Sequence, residues 1–252
     1  MKLKRTLIST AILAAMFGLA GCNSDDDNSK SGTPSLDTTL TQYVNPLIGT
    51  GADGHTFPGA VVPYGLVQLS PDTEMEGWGS AAGYFDHGKL TEIPVYGFSH
   101  THLSGTGMGG LGDILFLPFT EDKAKYIEDS DDYREAISVK MDKTSEVAEA
   151  GYYSVKIAEN GIKAELTASE RVGFHRYTYP QGQPQRLKID LNSILNSDWG
   201  STSLRNKLTV SEDGHTITGE RDAAHFSGWA KNQKIFFYAT FDKKIKDVYI
   251  LA

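Results

Sequence analysis

"YYSVKIAENGIKAELTAS", residues 152–169, decides the fold. Apolar and polar residues alternate on both sides of Asn160-Gly161. Tyr153, Val155 and Ile157 share one face of the first half, and Ile162, Ala164 and Leu166 share one face of the second. A period of two is that of a strand with one side buried. Asn-Gly accepts positive φ at both central positions of a type I′ turn, whose twist suits two paired strands. The stretch predicts a β-hairpin.

The same pattern continues outward. "RVGFHRYTY" (171–179) predicts a third strand that stops before Pro180, and "RLKIDL" (186–191) sets Leu187, Ile189 and Leu191 on one face. "KLTVSEDGHTITG" (207–219) is a second hairpin, turning at Asp213-Gly214. "KIFFYATF" (234–241) is apolar on both faces and is expected to be a central strand. "DILFLPF" (113–119) is a buried run that Pro118, lacking an N–H, is expected to stop or push to a sheet edge. "DVYILA" (247–252) reads as the start of another strand. From Tyr43 onward helical periodicity is almost absent, and many short strands with regular turns indicate an all-β sandwich.

The chain has 252 residues, 39% hydrophobic and 22% charged, a composition that belongs to folded rather than disordered proteins. Its N-terminus has a different character. Lys2, Lys4 and Arg5 precede an apolar run from Leu7 to Ala20, the layout of a secretory signal peptide, here residues 1–21. The single cysteine, Cys22, follows Leu19-Ala20-Gly21, which resembles a bacterial lipoprotein signal with Cys22 as the lipid-attachment residue. An exported lipoprotein of the outer membrane is expected, held to the membrane through its lipid. Residues 22–42 are polar and acidic, with Asp25-Asp26-Asp27, and read as a flexible tether. Without residues 1–21 the chain keeps 21 basic against 32 acidic residues, which argues against nucleic acid as a partner.

Two glycine-rich stretches carry the polar chemistry. "NPLIGTGADGHTFPGAVVPYGLVQLSPDT" (45–73) contains His55, and "GFSHTHLSGTGMGGLGD" (97–113) contains His100, His102 and Ser104. Glycine and proline at this density fix a loop path and let a backbone come close to a ligand. Trp78, Tyr84 and Phe85 lie between the stretches as candidate aromatic stacking faces. A metal site on His100 and His102, completed by His55 or Asp113, is one reading; histidines engaged in hydrogen bonds and packing is the other. "GTGMGG" lacks the lysine of a phosphate loop, and no nucleophile elbow surrounds Ser99 or Ser104. Asp72, Glu74, Glu76, Asp86, Glu92 and Asp113 supply carboxylates, but no acid–base pair stands out among them.

Read together, "VNPLIGTGADGHTFPGAVVPYGLVQLSPDT", "GWGSAAGYF", "YGFSHTHLSGTGMGGLGDILFLP" and "ITGERDAAHFSGWA" resemble, in order and spacing, the N-terminal domain of family 92 glycoside hydrolases. The likeness runs from about Tyr43 to the end of the sequence, residues 43–252. The family comprises calcium-dependent, inverting exo-α-mannosidases. The resemblance implies a large twisted sandwich (a supersandwich, as in galactose mutarotases) whose glycine loops face a helical (α/α) barrel. It implies that His55, Trp78, Tyr84, His100, His102 and Ser104 line the carbohydrate cleft or the interface with that barrel. In the family the catalytic acid and base and most of the calcium ligands belong to the barrel, so no catalytic residue, metal ligand or cofactor is assigned within these 252 residues. The chain departs from the family where Gly79, Ser80 and Ala81 follow Trp78, and at Met108-Gly109-Gly110.

The reading is a lipid-anchored domain that binds mannose-containing glycans as part of an α-mannosidase and is inactive without the barrel. Alternatives are a free-standing carbohydrate-binding lipoprotein and a metal hydrolase built on His100 and His102.

Overall fold

A computed structural model describes residues 38–105, 107–121, 138–225 and 230–249. The expected signal peptide, Cys22 and most of the expected tether lie outside them, but residues 38–42 of that tether belong to a 3-10 turn, Thr38–Tyr43. The strands are β1 (Ala60–Val61), β2 (Gln68–Asp72), β3 (Glu92–Val95), β4 (Gly97–Ser99), β5 (Leu115–Phe119), β6 (Val139–Glu149), β7 (Tyr152–Ile157), β8 (Lys163–Ala168), β9 (Gly173–Thr178), β10 (Arg186–Asp190), β11 (Thr202–Val210), β12 (Thr216–Ala224) and β13 (Gln233–Thr240). They form three sheets with antiparallel pairings: β1-β2-β4-β5-β10, β3-β6-β7-β8-β9 and β11-β12-β13.

The deciding hairpin forms as its alternation requires. β7 pairs with β8 in the register Tyr153–Leu166 and Val155–Ala164. Gly161 takes φ +70, a value that favours glycine, but Asn160 does not share it and the Gly161 N–H reaches back to the Ile157 carbonyl, so the connection is a longer loop and not the expected type I′ turn. Tyr153, Val155, Ile157, Ile162, Ala164 and Leu166 are all buried and pack against Leu69, Phe98, Leu117 and Phe119 of the first sheet. That is the main core, a sandwich of two five-stranded sheets. β5 is buried on both faces: Leu117 and Phe119 point into this core, while Phe116 packs with Leu187, Leu191, Leu208, Ile235 and Phe237 beneath the three-stranded sheet. The first sheet is therefore covered on both sides.

Two expectations turn on where the sheets stop. β13 is not central; it is the edge of β11-β12-β13, and its outer residues Phe236 and Tyr238 are 71% and 69% exposed. An apolar run on both faces marks a fully covered strand only when something packs on its second face. Pro118 does not end β5, and it pairs with Leu187 of β10 on one side while its other side is a local edge. β4 meets β5 only at Phe98–Phe116, so beyond that point no described strand asks Pro118 for an N–H. Residues 247–249 form no strand, and Val248 and Tyr249 are exposed.

Candidate functional site

Four loops meet at one end of the sandwich, and polar contacts far apart in sequence hold them. Trp78 Nε1–H donates to Asp53 Oδ1 at 2.7 Å. The Gly77 N–H donates to Asp198 Oδ2 at 2.9 Å, and Asn196 Nδ2 donates to the Gly77 carbonyl at 3.0 Å. Gly105 N–H donates to the His55 carbonyl at 2.5 Å, and Leu195 N–H to the Leu111 carbonyl at 3.3 Å. A Cβ at Gly109 would fall inside the Asn196 side chain, so only glycine lets these loops approach so closely.

Here lies an open concavity of about 380 Å³, lined by Trp78, Gly107, Met108 and Trp199. The two indoles have centroids 6.0 Å apart and are tilted by 38°. The His55 ring meets Trp78 edge-on at 4.5 Å, and Trp78 itself stays 54% exposed. Gly107, at φ +60, faces the His55 and Trp78 rings; a Cβ there would lie 3.2 Å from His55 Nδ1. Asp53 and His55 thus set the orientation of Trp78. His55 is 6% exposed, and its Nε2 is buried with no hydrogen-bond partner in the structure.

The other expected site residues fall elsewhere. Ser104 is exposed on the glycine loop. Tyr84 does not reach the cleft: it is 1% exposed, and its hydroxyl, with that of Tyr153, donates to Glu146 at 2.9 and 2.7 Å. Burial, reinforced by the Glu146 carboxylate, holds the Tyr84 phenol far above its usual range. The tyrosine follows the left-handed Gly83, which turns its side chain into the core.

His100 and His102 do not converge on one point. His100 Nδ1–H donates to the Ile114 carbonyl at 2.7 Å, which leaves its Nε2 to accept from His175 Nε2–H at 3.0 Å. His175 Nδ1 then accepts from the Tyr177 hydroxyl at 2.7 Å. Each ring has one donor and one acceptor role, so this chain is complete only when both are neutral. Burial agrees, pushing His100 down to about 4 and His175 well below its ordinary value. His102 faces another way: Nδ1–H donates to the Gln68 carbonyl at 2.7 Å, and Nε2 lies 2.9 Å from Asp72 Oδ1 and 3.1 Å from Ser99 Oγ. Ser99, His102 and Asp72 have the composition of a nucleophilic triad without its wiring. Serine and carboxylate address the same nitrogen, and all three residues are buried.

A third buried network was not foreseen. Arg221 NH1 pairs with Asp113 Oδ1, both side chains being fully buried. Arg221 Nε also donates to the Leu191 carbonyl at 2.7 Å. Thr101 Oγ1 and Gln233 Nε2 donate to Asp113 Oδ2 at 2.6 and 3.2 Å. His225 bonds Gln233 through Nε2, and its Nδ1 accepts from the Leu111 N–H at 3.1 Å. Asp113, one of the proposed metal ligands, is thereby committed to arginine. Among the described residues, no three His, Cys, Asp or Glu side chains gather as a metal ion would need.

Trp199 also escaped the reading of the sequence. Its signal is local: "NSDWG" places a tryptophan in a 3-10 turn, Ser197–Trp199, between left-handed Asn196 and Gly200. An aromatic residue in so short a polar turn has no strand face to bury it.

Fold and site together define a class: a layered β-sandwich with an aromatic, glycine-floored concavity at its loop end. The chain belongs to glycoside hydrolase family 92, whose N-terminal domain model matches residues 43–252. It is similar to a solved family 92 α-mannosidase from Bacteroides thetaiotaomicron, with 36% identity and a TM-score of 0.70 over 81% of this chain and 26% of that one. A second structure of that mannosidase, in complex with mannoimidazole, matches at the same identity and TM-score and covers 25% of that chain. An uncharacterized secreted glycosidase of Arthroderma benhamiae is 31% identical over 191 residues, 71% of this chain and 22% of that protein. The chain thus spans about a quarter of the length of these relatives.

Proposed function

We propose that this domain forms one wall of the carbohydrate cleft of an exported α-mannosidase acting on mannose-rich glycans. A helical (α/α) barrel, in cis or in trans, supplies the acid and base. The observation that carries this reading is the Trp78–Trp199 concavity. Exposed indole faces suit the C–H faces of a neutral sugar, and backbone close to the floor leaves room for a ring. Similarity to α-mannosidases gives the sugar class, and similarity to a secreted glycosidase supports export. Calcium enters the proposal through the barrel, where the family resemblance puts most of its ligands.

Inverting hydrolysis needs two carboxylates roughly 6.5–9.5 Å apart with a water between them. The chain alone is therefore expected to show no turnover of α-mannosides and only weak affinity for mannose, and to gain activity when combined with the barrel. Calcium-dependent turnover by the 252-residue chain itself would overturn the assignment, and tight mannose binding without turnover would favour a free-standing binding module. For localisation, Cys22 carries the lipid: Cys22→Ala is expected to move the protein from membranes to the soluble exported fraction. Unchanged membrane retention would refute the anchor.

A further inference from the structure

We propose that His225 is a positioning residue: by accepting the Leu111 N–H it fixes the glycine loop that presents Gly107 and Met108 to the concavity. Leu111 is the improbable element of that loop. It is buried and not glycine, yet it sits at φ +72 between Gly110 at +136 and Gly112 at +77. Such a conformation persists only where its surroundings enforce it. Gly112 N–H and Asp113 N–H are held from the C-terminal side by the Thr101 carbonyl and hydroxyl, at 2.9 and 3.0 Å. On the side nearer the concavity the hold on Leu111 is its own N–H, 3.1 Å from His225 Nδ1. The His225 ring also faces Gly110, where a Cβ would lie 3.4 Å away.

The bond works in one protonation state. An amide N–H can only donate, so His225 Nδ1 must be bare and its single proton must lie on Nε2, directed at Gln233 Oε1. Gln233 Nε2 then faces Asp113, and Asp113 faces Arg221. The charged groups turned toward His225 are thus Arg221 on its own strand side and Asp113 beyond Gln233. An imidazolium would have two donors and nothing to offer Leu111. Burial lowers the His225 pKa, the Gln233 carbonyl opposes that, and Arg221 adds to it, so the neutral ring is the form present near neutrality. The link to sugar rests on the function proposed above; the link to the loop does not.

Backbone amide exchange of Leu111, followed by NMR in the intact chain and corrected for intrinsic rates, tests this. In wild type, Leu111 should exchange at least ten-fold more slowly than in His225→Leu, and should lose that protection as pH falls through the titration of the His225 ring. His225→Asn places Oδ1 where Nδ1 stood and does not titrate, so it should retain protection across the same pH range. Equal Leu111 exchange in wild type and His225→Leu, or protection in wild type indifferent to His225 titration, would overturn the inference. So would an Asn variant no better than the Leu variant. If His225→Leu does not fold, the wild-type titration and the Asn variant still decide. Methyl α-mannoside affinity is measured separately, in the enzyme complete with its barrel, where the cleft has both walls. If protection is lost and affinity does not move, the positioning role stands and the sugar-wall reading is the one that falls.

Discussion

The sheet β3-β6-β7-β8-β9 and the glycine-loop end of the sandwich are held together in different ways. In the sheet, strand neighbours are mostly close in sequence, and Val155, Ile157, Ala164 and Leu166 bury apolar surface with no particular partner required. At the loop end the decisive contacts join residues far apart, such as Gly77 with Asp198 and Leu111 with His225, and each needs one atom to face another. Burial without direction tolerates a substitution of similar volume. A directed buried network does not, because removing one member strands the rest.

Asp113 offers the largest test. Asp113→Ala leaves the Arg221 guanidinium buried with no counter-charge, a loss of about 3–5 kcal/mol, against about 2–5 kcal/mol for Leu166→Ala in the apolar core. Urea unfolding of both variants measures this. The sharper comparison is rescue. Replacing Asp113 and Arg221 together by Leu and Met should recover the part of the loss that is the unpaired charge, while Thr101 Oγ1 and Gln233 Nε2 still lose their acceptor. No apolar second-site change should rescue Asp113→Ala while Arg221 remains. A cost below about 1 kcal/mol for Asp113→Ala would mean that the charge is relieved by water, and the contrast between the regions would fail.

Acid should act on the loop end first. His100 and His225 at the loop end, and His175 of β9, which bonds His100, all have pKa values depressed by burial, His100 to about 4. Each binds protons more readily in the unfolded chain, so its stabilising contribution is full above about pH 6.5 and is lost as pH falls toward the folded values. Glu165, lowered to about 2 chiefly by its bond from Arg176, belongs to the sheet and loses its contribution only below the ordinary carboxylate range. Unfolding free energy should therefore fall between pH 7 and pH 5, before the carboxylates titrate. Amide exchange should show the change near residues 100–113 rather than in β7 and β8. A flat stability curve over that interval would contradict the neutral-histidine wiring.

This contrast also explains what could be read from the residues. The hairpin at 152–169 was legible because alternation and an Asn-Gly turn are local signals, and both faces landed as its period required. β13 was misjudged because a strand's place in its sheet depends on neighbours, and a run such as Ile235–Ala239 does not say whether its second face is covered. Trp78 was singled out through its family context, but its companions Asp53 and Trp199 become visible only when loops 25 and 121 residues distant close on it. Tyr84 lay close to Trp78 in sequence and was taken for a neighbour in the cleft; a left-handed glycine between them sends it inward. Arg221 and His225 did carry a signal. Arg221 has the inward parity of Ala223 in β12, and His225 follows the strand directly at the same parity; a polar or charged residue on an inward face calls for a buried partner.

Trp78 gives the smallest expected effect on stability and the largest on the cleft. Its side chain is 54% exposed, and its one polar bond, to Asp53, is at the surface. Trp78→Ala should therefore change unfolding free energy by about 1 kcal/mol or less, the ordinary range for a half-exposed position. It removes one of the two indoles of the concavity and the ring against which His55 packs. Trp78→Phe keeps an aromatic face but gives up the Nε1–H bond to Asp53, so the ring is no longer held in orientation. In the enzyme complete with its barrel, mannoside turnover should fall in the order wild type, Phe, Ala, while thermal unfolding of the three stays nearly superimposable. If Trp78→Ala instead unfolds the domain as readily as Asp113→Ala, the concavity is part of the load-carrying network, and the division between a site that binds and a network that holds it would have to be redrawn.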